Sequence, residues 1–184
     1  AVYLGYSMGA RMCLHAALTA PESVSGLVLV SGTAGIDDAD ERAERRADDD
    51  ELADSIERDP SEGGGVEAFL DEWLARPMFA NLPDSARHIE ARQMNTTSGL
   101  AASLRTAGTG TQDSLWSRLA GLEMPVLVVT GELDAKFTDL GQRMVAAIGA
   151  NAALVTIPAA GHTVHLEAPD AFVAAVRRWL TDRD

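Results

Sequence analysis

Ala1-Val2-Tyr3-Leu4-Gly5-Tyr6-Ser7-Met8-Gly9-Ala10-Arg11 is the stretch that decides how this chain is read. Its first four residues form a short apolar run of strand type, Gly5 to Gly9 is a G-x-S-x-G pentapeptide, and a helix-like run from Ala10 to Leu18 follows at once. Strand, sharp turn and helix in that order is the setting in which the pentapeptide becomes a nucleophile elbow. The flanking glycines are expected to make room for a chain that reverses within a few residues, so that Ser7 is pushed out above the sheet.

A serine hydroxyl is a weak nucleophile or base at neutral pH. It needs an imidazole beside it, and the imidazole needs a carboxylate to fix its tautomer. The buried-type strand Pro125 to Thr130 runs into Gly131-Glu132-Leu133-Asp134, and a second, Ala153 to Ile157, runs into Pro158-Ala159-Ala160-Gly161-His162. Both candidate partners therefore fall in loops at the carboxyl ends of strands. The chain order Ser7, Asp134, His162 resembles that of an α/β-hydrolase triad, with all three residues at one edge of a parallel sheet. Each also has a plain reading: Asp134 alone could be only the N-cap of the next helix, and a loop histidine could be a surface residue. Glu132 and Asp139 are the nearest competing carboxylates, and neither closes a strand as Asp134 does. His165 is the weaker histidine candidate, and His15 and His88 read as structural or exposed, the latter within a polar helix.

The expected architecture is α/β: an α/β-hydrolase fold with a parallel sheet, flanking helices and a helical cap. Residues 1–35 hold the elbow and the following strand, Gly26 to Val30. Residues 36–119 show helix-patterned segments broken by Pro60, Gly63-Gly64-Gly65, Pro77 and Pro83, which reads as a cap insertion. Residues 120–184 return to βα alternation and carry the acid and histidine loops. Four strands are fewer than such a domain needs, and the elbow strand, normally mid-sheet, opens a chain that starts with Ala1. The expectation is an N-terminally truncated chain that lacks the loop donating one oxyanion-hole N–H, leaving the backbone N–H of Met8 as the other donor.

The 184 residues carry 28 Asp and Glu against 15 Lys and Arg, a net charge of -13. That balance argues against nucleic acid and anionic membrane surfaces as partners and favours a cytoplasmic protein. No apolar run reaches membrane-spanning length, so membrane insertion is not expected. The single Cys13 gives neither an intrachain disulfide nor a metal cluster and reads as a small buried hydrophobe.

Two groups of cations matter. Arg11 lies in the first turn of the elbow helix, where the helix dipole disfavours a positive charge, so an anionic partner is expected, either a carboxylate of the protein or a bound substrate. Arg42, Arg45 and Arg46 share a helix face, and on the residues alone an i,i+4 ladder, Asp38 with Arg42 and Glu41 with Arg45, accounts for them. Phe69 and Trp73 share another face with Phe79 just beyond, an arrangement that reads first as core packing.

Gly-Tyr-Ser-Met-Gly-Ala-Arg at 5–11, Glu-Arg-Ala-Glu-Arg at 41–45, Phe-Leu-Asp-Glu-Trp and Arg-Pro-Met-Phe-Ala-Asn-Leu within 69–82, Gly-Glu-Leu-Asp-Ala-Lys-Phe at 131–137 and Ala-Gly-His-Thr-Val-His-Leu-Glu at 160–167 together resemble the 2-succinyl-6-hydroxy-2,4-cyclohexadiene-1-carboxylate synthase family. This is the α/β-hydrolase-fold lyase family of menaquinone biosynthesis, and the similarity runs almost the whole chain. It implies elimination of pyruvate from 2-succinyl-5-enolpyruvyl-6-hydroxy-3-cyclohexene-1-carboxylate, a small polycarboxylate substrate, with no metal and no cofactor. Ser7, activated by His162 and oriented through Asp134, would be the base. Substrate-binding residues implied by the resemblance are Arg11, Arg45 and Arg92 with the aromatics Tyr6, Trp73 and Phe79, a role for Arg45 that replaces the salt-ladder reading. Ala10 departs from a glycine common after the elbow. Two other readings stay open: a serine carboxylesterase or C–C bond hydrolase with the same triad, and an inactive truncated fragment.

Overall fold

Four apolar runs become four strands, and the periodic segments between them become helices. The computed structural model describes residues 1–182. In chain order the elements are β1 (Val2–Tyr6), α1 (Met8–Thr19), β2 (Gly26–Val30), α2 (Ala39–Glu57), α3 (Gly65–Leu74), α4 (Ile89–Gln93), α5 (Thr97–Ala107), β3 (Val126–Gly131), α6 (Ala135–Ile148), β4 (Ala152–Ile157), α7 (Val164–Glu167) and α8 (Pro169–Thr181). By its contacts the chain divides into two compact units: residues 1–34, 81–83 and from 115 onward, and residues 35–80 with 84–114.

The first unit is a parallel sheet in the order β1-β2-β3-β4. Every residue of β2 and β3 is buried, because a parallel strand covered on both faces can place an apolar side chain at each position. Alternation along the strands then splits the core in two. Leu27, Leu29, Val126 and Val128 pack with Ala10, Leu14 and Ala17 of α1 and Met144 and Ile148 of α6. Val28, Val30, Leu127 and Val129 face the opposite way, toward Val164, Phe172, Val176 and Trp179. A short 3-10 segment, Trp116–Gly121, adds Trp116 and Leu119 to the first of these clusters.

Among the described residues β1 pairs on one side only, and Val2, Tyr3 and Leu4 are 40%, 39% and 51% exposed. No helix among the described residues is long and apolar enough to cross a membrane.

The second unit is helical throughout. α2 is strongly polar, yet it buries Asp49, Ala53 and Ile56. Its pairings differ from the ladder expected from spacing. Asp38 caps the helix, accepting from the N–H groups of Asp40 and Glu41, and is therefore spent on the backbone. Arg42 donates to the Ile36 carbonyl, and Arg45 pairs forward with Asp49 at 3.0 Å rather than back with Glu41. Backbone groups take up Asp38 Oδ1 and the Arg42 guanidinium, which is why charge spacing misleads here. His88 is also placed differently from its sequence reading: it precedes α4 as its N-cap, with φ 48°, instead of lying within a helix.

Candidate active site

β1 ends at Tyr6 and α1 begins at Met8, so the whole reversal falls on Ser7, which takes φ 50° and ψ -109°. That left-handed conformation is costly for a residue with a side chain and persists because its neighbours hold it. The Ser7 N–H donates to the Val30 carbonyl at 2.8 Å, and the Ser7 carbonyl accepts from the Arg11 N–H at 3.3 Å. The two glycines of the pentapeptide are not equivalent, contrary to the sequence expectation. A Cβ at Gly5 would collide with the backbone of Gly9 and Ala10, whereas a Cβ at Gly9 would meet nothing. Ala10 fits because position 32 is glycine: a Cβ there would stand 2.5 Å from that of Ala10, which is itself fully buried.

The other two members come from loops at the ends of β3 and β4. A Cβ at Gly131 would strike the carbonyls of Ala160 and Gly161, so the loops run against each other backbone to backbone. The Leu133 N–H donates to Ala160 O at 2.8 Å, and the Glu132 N–H donates to Ile157 O at 3.0 Å. The Glu132 carboxylate accepts from the Ala159 N–H, which occupies it away from His162. Asp139 is exposed. Asp134 fulfils both of its readings at once: Oδ1 accepts from the Phe137 N–H at 3.4 Å as the cap of α6, and Oδ2 lies 2.7 Å from His162 Nδ1.

His162 is 1% exposed. Because an ionised carboxylate only accepts, its contact assigns the proton to Nδ1 and leaves Nε2 with a lone pair. Nε2 stands 3.4 Å from Ser7 Oγ, a long hydrogen bond of the kind that tightens when a ligand arrives. The imidazole is walled by Phe137, with ring centres 4.4 Å apart, and by Tyr6 at 5.3 Å. Ser7, Asp134 and His162 are thus brought together, with Met8 opening α1 beside the serine and Arg11 buried in the same first turn.

His165 packs behind Tyr6, ring centres 4.6 Å apart, with its Nδ1 buried and unpartnered. Burial lowers its pKa from the ordinary 6.5; the nearby Glu167 carboxylate opposes that shift and His162 adds to it. The unfolded chain therefore binds more protons at this position than the folded one below pH 6.5. Stability is expected to fall as pH drops through that value toward the lowered one. Urea midpoints at pH 7.5 and 5.5 should converge in a His165→Gln variant, and an acid-side loss unchanged by the substitution would refute the assignment.

In the helical unit, Arg45 is held by Asp49, and Arg92 donates through Nε to the Arg87 carbonyl at 2.7 Å. Trp73 lies between Phe69 and Phe79 at 5.5 and 6.0 Å, with the Arg76 guanidinium 4.3 Å above its ring. Phe79 is buried, as a packing role requires.

Sequence reading missed Phe137 and Gly32. The Gly-Glu-Leu-Asp-Ala-Lys-Phe motif contained the first, while nothing local marked the second.

Residues 1–175 match the model of the alpha/beta hydrolase family. A Bacillus subtilis protein provisionally named 2-succinyl-6-hydroxy-2,4-cyclohexadiene-1-carboxylate synthase is 42% identical over 97% of this chain and 65% of its own length. A Serratia proteamaculans protein with that name is 34% identical over 97% and 67%. The solved structure of MenH from S. aureus superposes with a TM-score of 0.91 at 32% identity, covering 98% of this chain and 68% of its own. The chain spans about two thirds of the length of these relatives. It belongs to the alpha/beta hydrolase family and, within it, to the group of the 2-succinyl-6-hydroxy-2,4-cyclohexadiene-1-carboxylate synthases.

Proposed function

We propose that the protein is a lyase of menaquinone biosynthesis, converting 2-succinyl-5-enolpyruvyl-6-hydroxy-3-cyclohexene-1-carboxylate into 2-succinyl-6-hydroxy-2,4-cyclohexadiene-1-carboxylate and pyruvate. The observation that carries this reading is the Ser7, His162, Asp134 relay, at 3.4 and 2.7 Å, in a chain similar to proteins of that name. His162 Nε2 draws the proton from Ser7 Oγ as the oxygen takes a proton from a ring carbon. The electron pair of that C–H bond, at C2, forms a C2=C3 double bond, the C3=C4 pair moves to C4=C5, and the bond from C5 to the enolpyruvyl oxygen breaks. The departing enolate recovers a proton and leaves as pyruvate. Water is not consumed and no acyl-enzyme forms. The Met8 N–H is the proposed donor to developing negative oxygen.

The substrate is a polyanion, and this chain has a net charge of -13, so local cations are needed to bind it. Arg11, Arg45 and Arg92 are the proposed carboxylate-binding residues, and Tyr6, Trp73 and Phe79 the proposed aromatic contacts. The helical unit, residues 35–80 with 84–114, serves as the cap that carries specificity, and the place of work is the cytoplasm.

Pyruvate release by the complete gene product, given the enolpyruvyl cyclohexene substrate, is the test. Ser7→Ala is expected to reduce kcat by at least about 10³-fold. Absence of pyruvate release together with Ser7-dependent cleavage of a simple ester would instead make the protein a hydrolase.

A further inference from the structure

We propose that Glu167 is a positioning residue whose carboxylate straps the backbone on both sides of His162 and thereby sets the approach of Nε2 to Ser7. The proposal rests on the triad reading above and concerns a residue that the relay itself does not use.

The geometry is specific. Glu167 ends the single-turn helix α7, and its side chain folds back over the loop that feeds that helix. Oε2 accepts from the Gly161 N–H at 2.5 Å, and Oε1 accepts from both the N–H and the hydroxyl of Thr163, at 2.8 and 2.5 Å. The donors come from the residues immediately before and after His162, so one carboxylate grips the two peptide units that fix the direction of the imidazole. Gly161 permits the approach, since a Cβ there would stand 2.9 Å from Oε2 and 3.3 Å from Oε1. Hydrogen bonds to an ionised acceptor are about twice as strong as neutral ones, and three of them converge here.

The opposite side of the loop is tied independently. Ala160 O accepts from the Leu133 N–H, and the Ala159 N–H donates to Glu132. The Asp134 side of His162 is therefore anchored by the β3–α6 loop and the remaining freedom is removed by Glu167. A buried imidazole that must keep a 2.7 Å contact on one nitrogen while reaching a serine 3.4 Å from the other tolerates little rotation of its backbone. Misplacing a reacting group by about 1 Å costs roughly 10²-fold in rate.

Glu167→Gln is the informative variant. An amide has one oxygen, so it can accept on one side of His162 while its NH2 confronts a peptide N–H on the other. In the complete gene product, kcat for pyruvate release is expected to fall about 10- to 100-fold, with KM within about twofold. The downfield NMR resonance of the His162 Nδ1 proton is expected to shift and to exchange faster with water, at an unchanged fraction of folded protein. Thr163→Ala should lose a smaller, severalfold part of kcat, and Thr163→Ser, which keeps the hydroxyl, should recover that part; these two carry the test if Glu167→Gln does not fold. A Glu167→Gln protein with wild-type kcat and an unmoved resonance overturns the proposal, as does equal loss in Thr163→Ala and Thr163→Ser if the first variant does not fold. Should His162→Ala retain turnover, the triad reading fails instead, and the resonance in Glu167→Gln still decides whether the strap holds His162.

Discussion

Asp134→Asn is expected to lower kcat by about 10³- to 10⁴-fold while leaving the melting temperature within a degree or two. The carboxylate does two separable things. Oδ2 holds the proton on His162 Nδ1 across 2.7 Å, and Oδ1 caps α6 through the Phe137 N–H. Asparagine caps helices as well as aspartate does, so folding should hardly register the change. Its amide, however, can offer an N–H to Nδ1, which turns the imidazole into the tautomer with its proton on Nε2 and leaves it unable to accept from Ser7. Asp134→Ala removes both functions. It should lose comparable activity and also about 1 kcal/mol of stability, or about 2–4 °C in a chain of this size. Steady-state kinetics and circular-dichroism melts on the pair separate the roles. Asparagine protein that kept a tenth of the wild-type kcat would remove Asp134 from the relay.

Gly5→Ala is expected to destabilise the fold by about 3 kcal/mol or more, whereas Gly9→Ala should be neutral or stabilising by up to about 1 kcal/mol. The motif presents the two glycines symmetrically, but the structure does not. A methyl group on Gly5 would run into the peptide of Gly9 and the amide of Ala10, which cannot move aside as a side chain can. At Gly9, in the first turn of α1, a methyl group meets no neighbour and improves helix propensity. Denaturant midpoints at constant m-value would show the difference, and equal effects at the two positions would contradict this account of the turn.

These contrasts indicate how far the sequence could be read. The strands were legible because β2 and β3 carry unbroken apolar runs, Leu27 to Val30 and Val126 to Val129, a pattern that two-sided burial allows. Ser7, Asp134 and His162 were legible because each follows an apolar run, where a parallel sheet delivers its functional loops. What escaped depends on backbone groups, which have no letter in a sequence. The grip of Glu167 on the N–H groups at 161 and 163, the diversion of Asp38 to a helix cap and the match of Ala10 with Gly32 arise only once the chain has turned back on itself.

The order of the sheet has one further consequence, for how such a protein can diverge. β2 and β3 are adjacent strands, yet the entire helical unit lies between Val30 and Val126 in the chain. The entropy of closing a connection grows only logarithmically, so doubling its length costs about 0.6 kcal/mol. Helices can therefore be lengthened, shortened or exchanged between these two strands at little thermodynamic cost, while the register that aligns the elbow with the acid and histidine loops stays as it is. Length and composition can change in one contiguous stretch of gene without rebuilding the sheet.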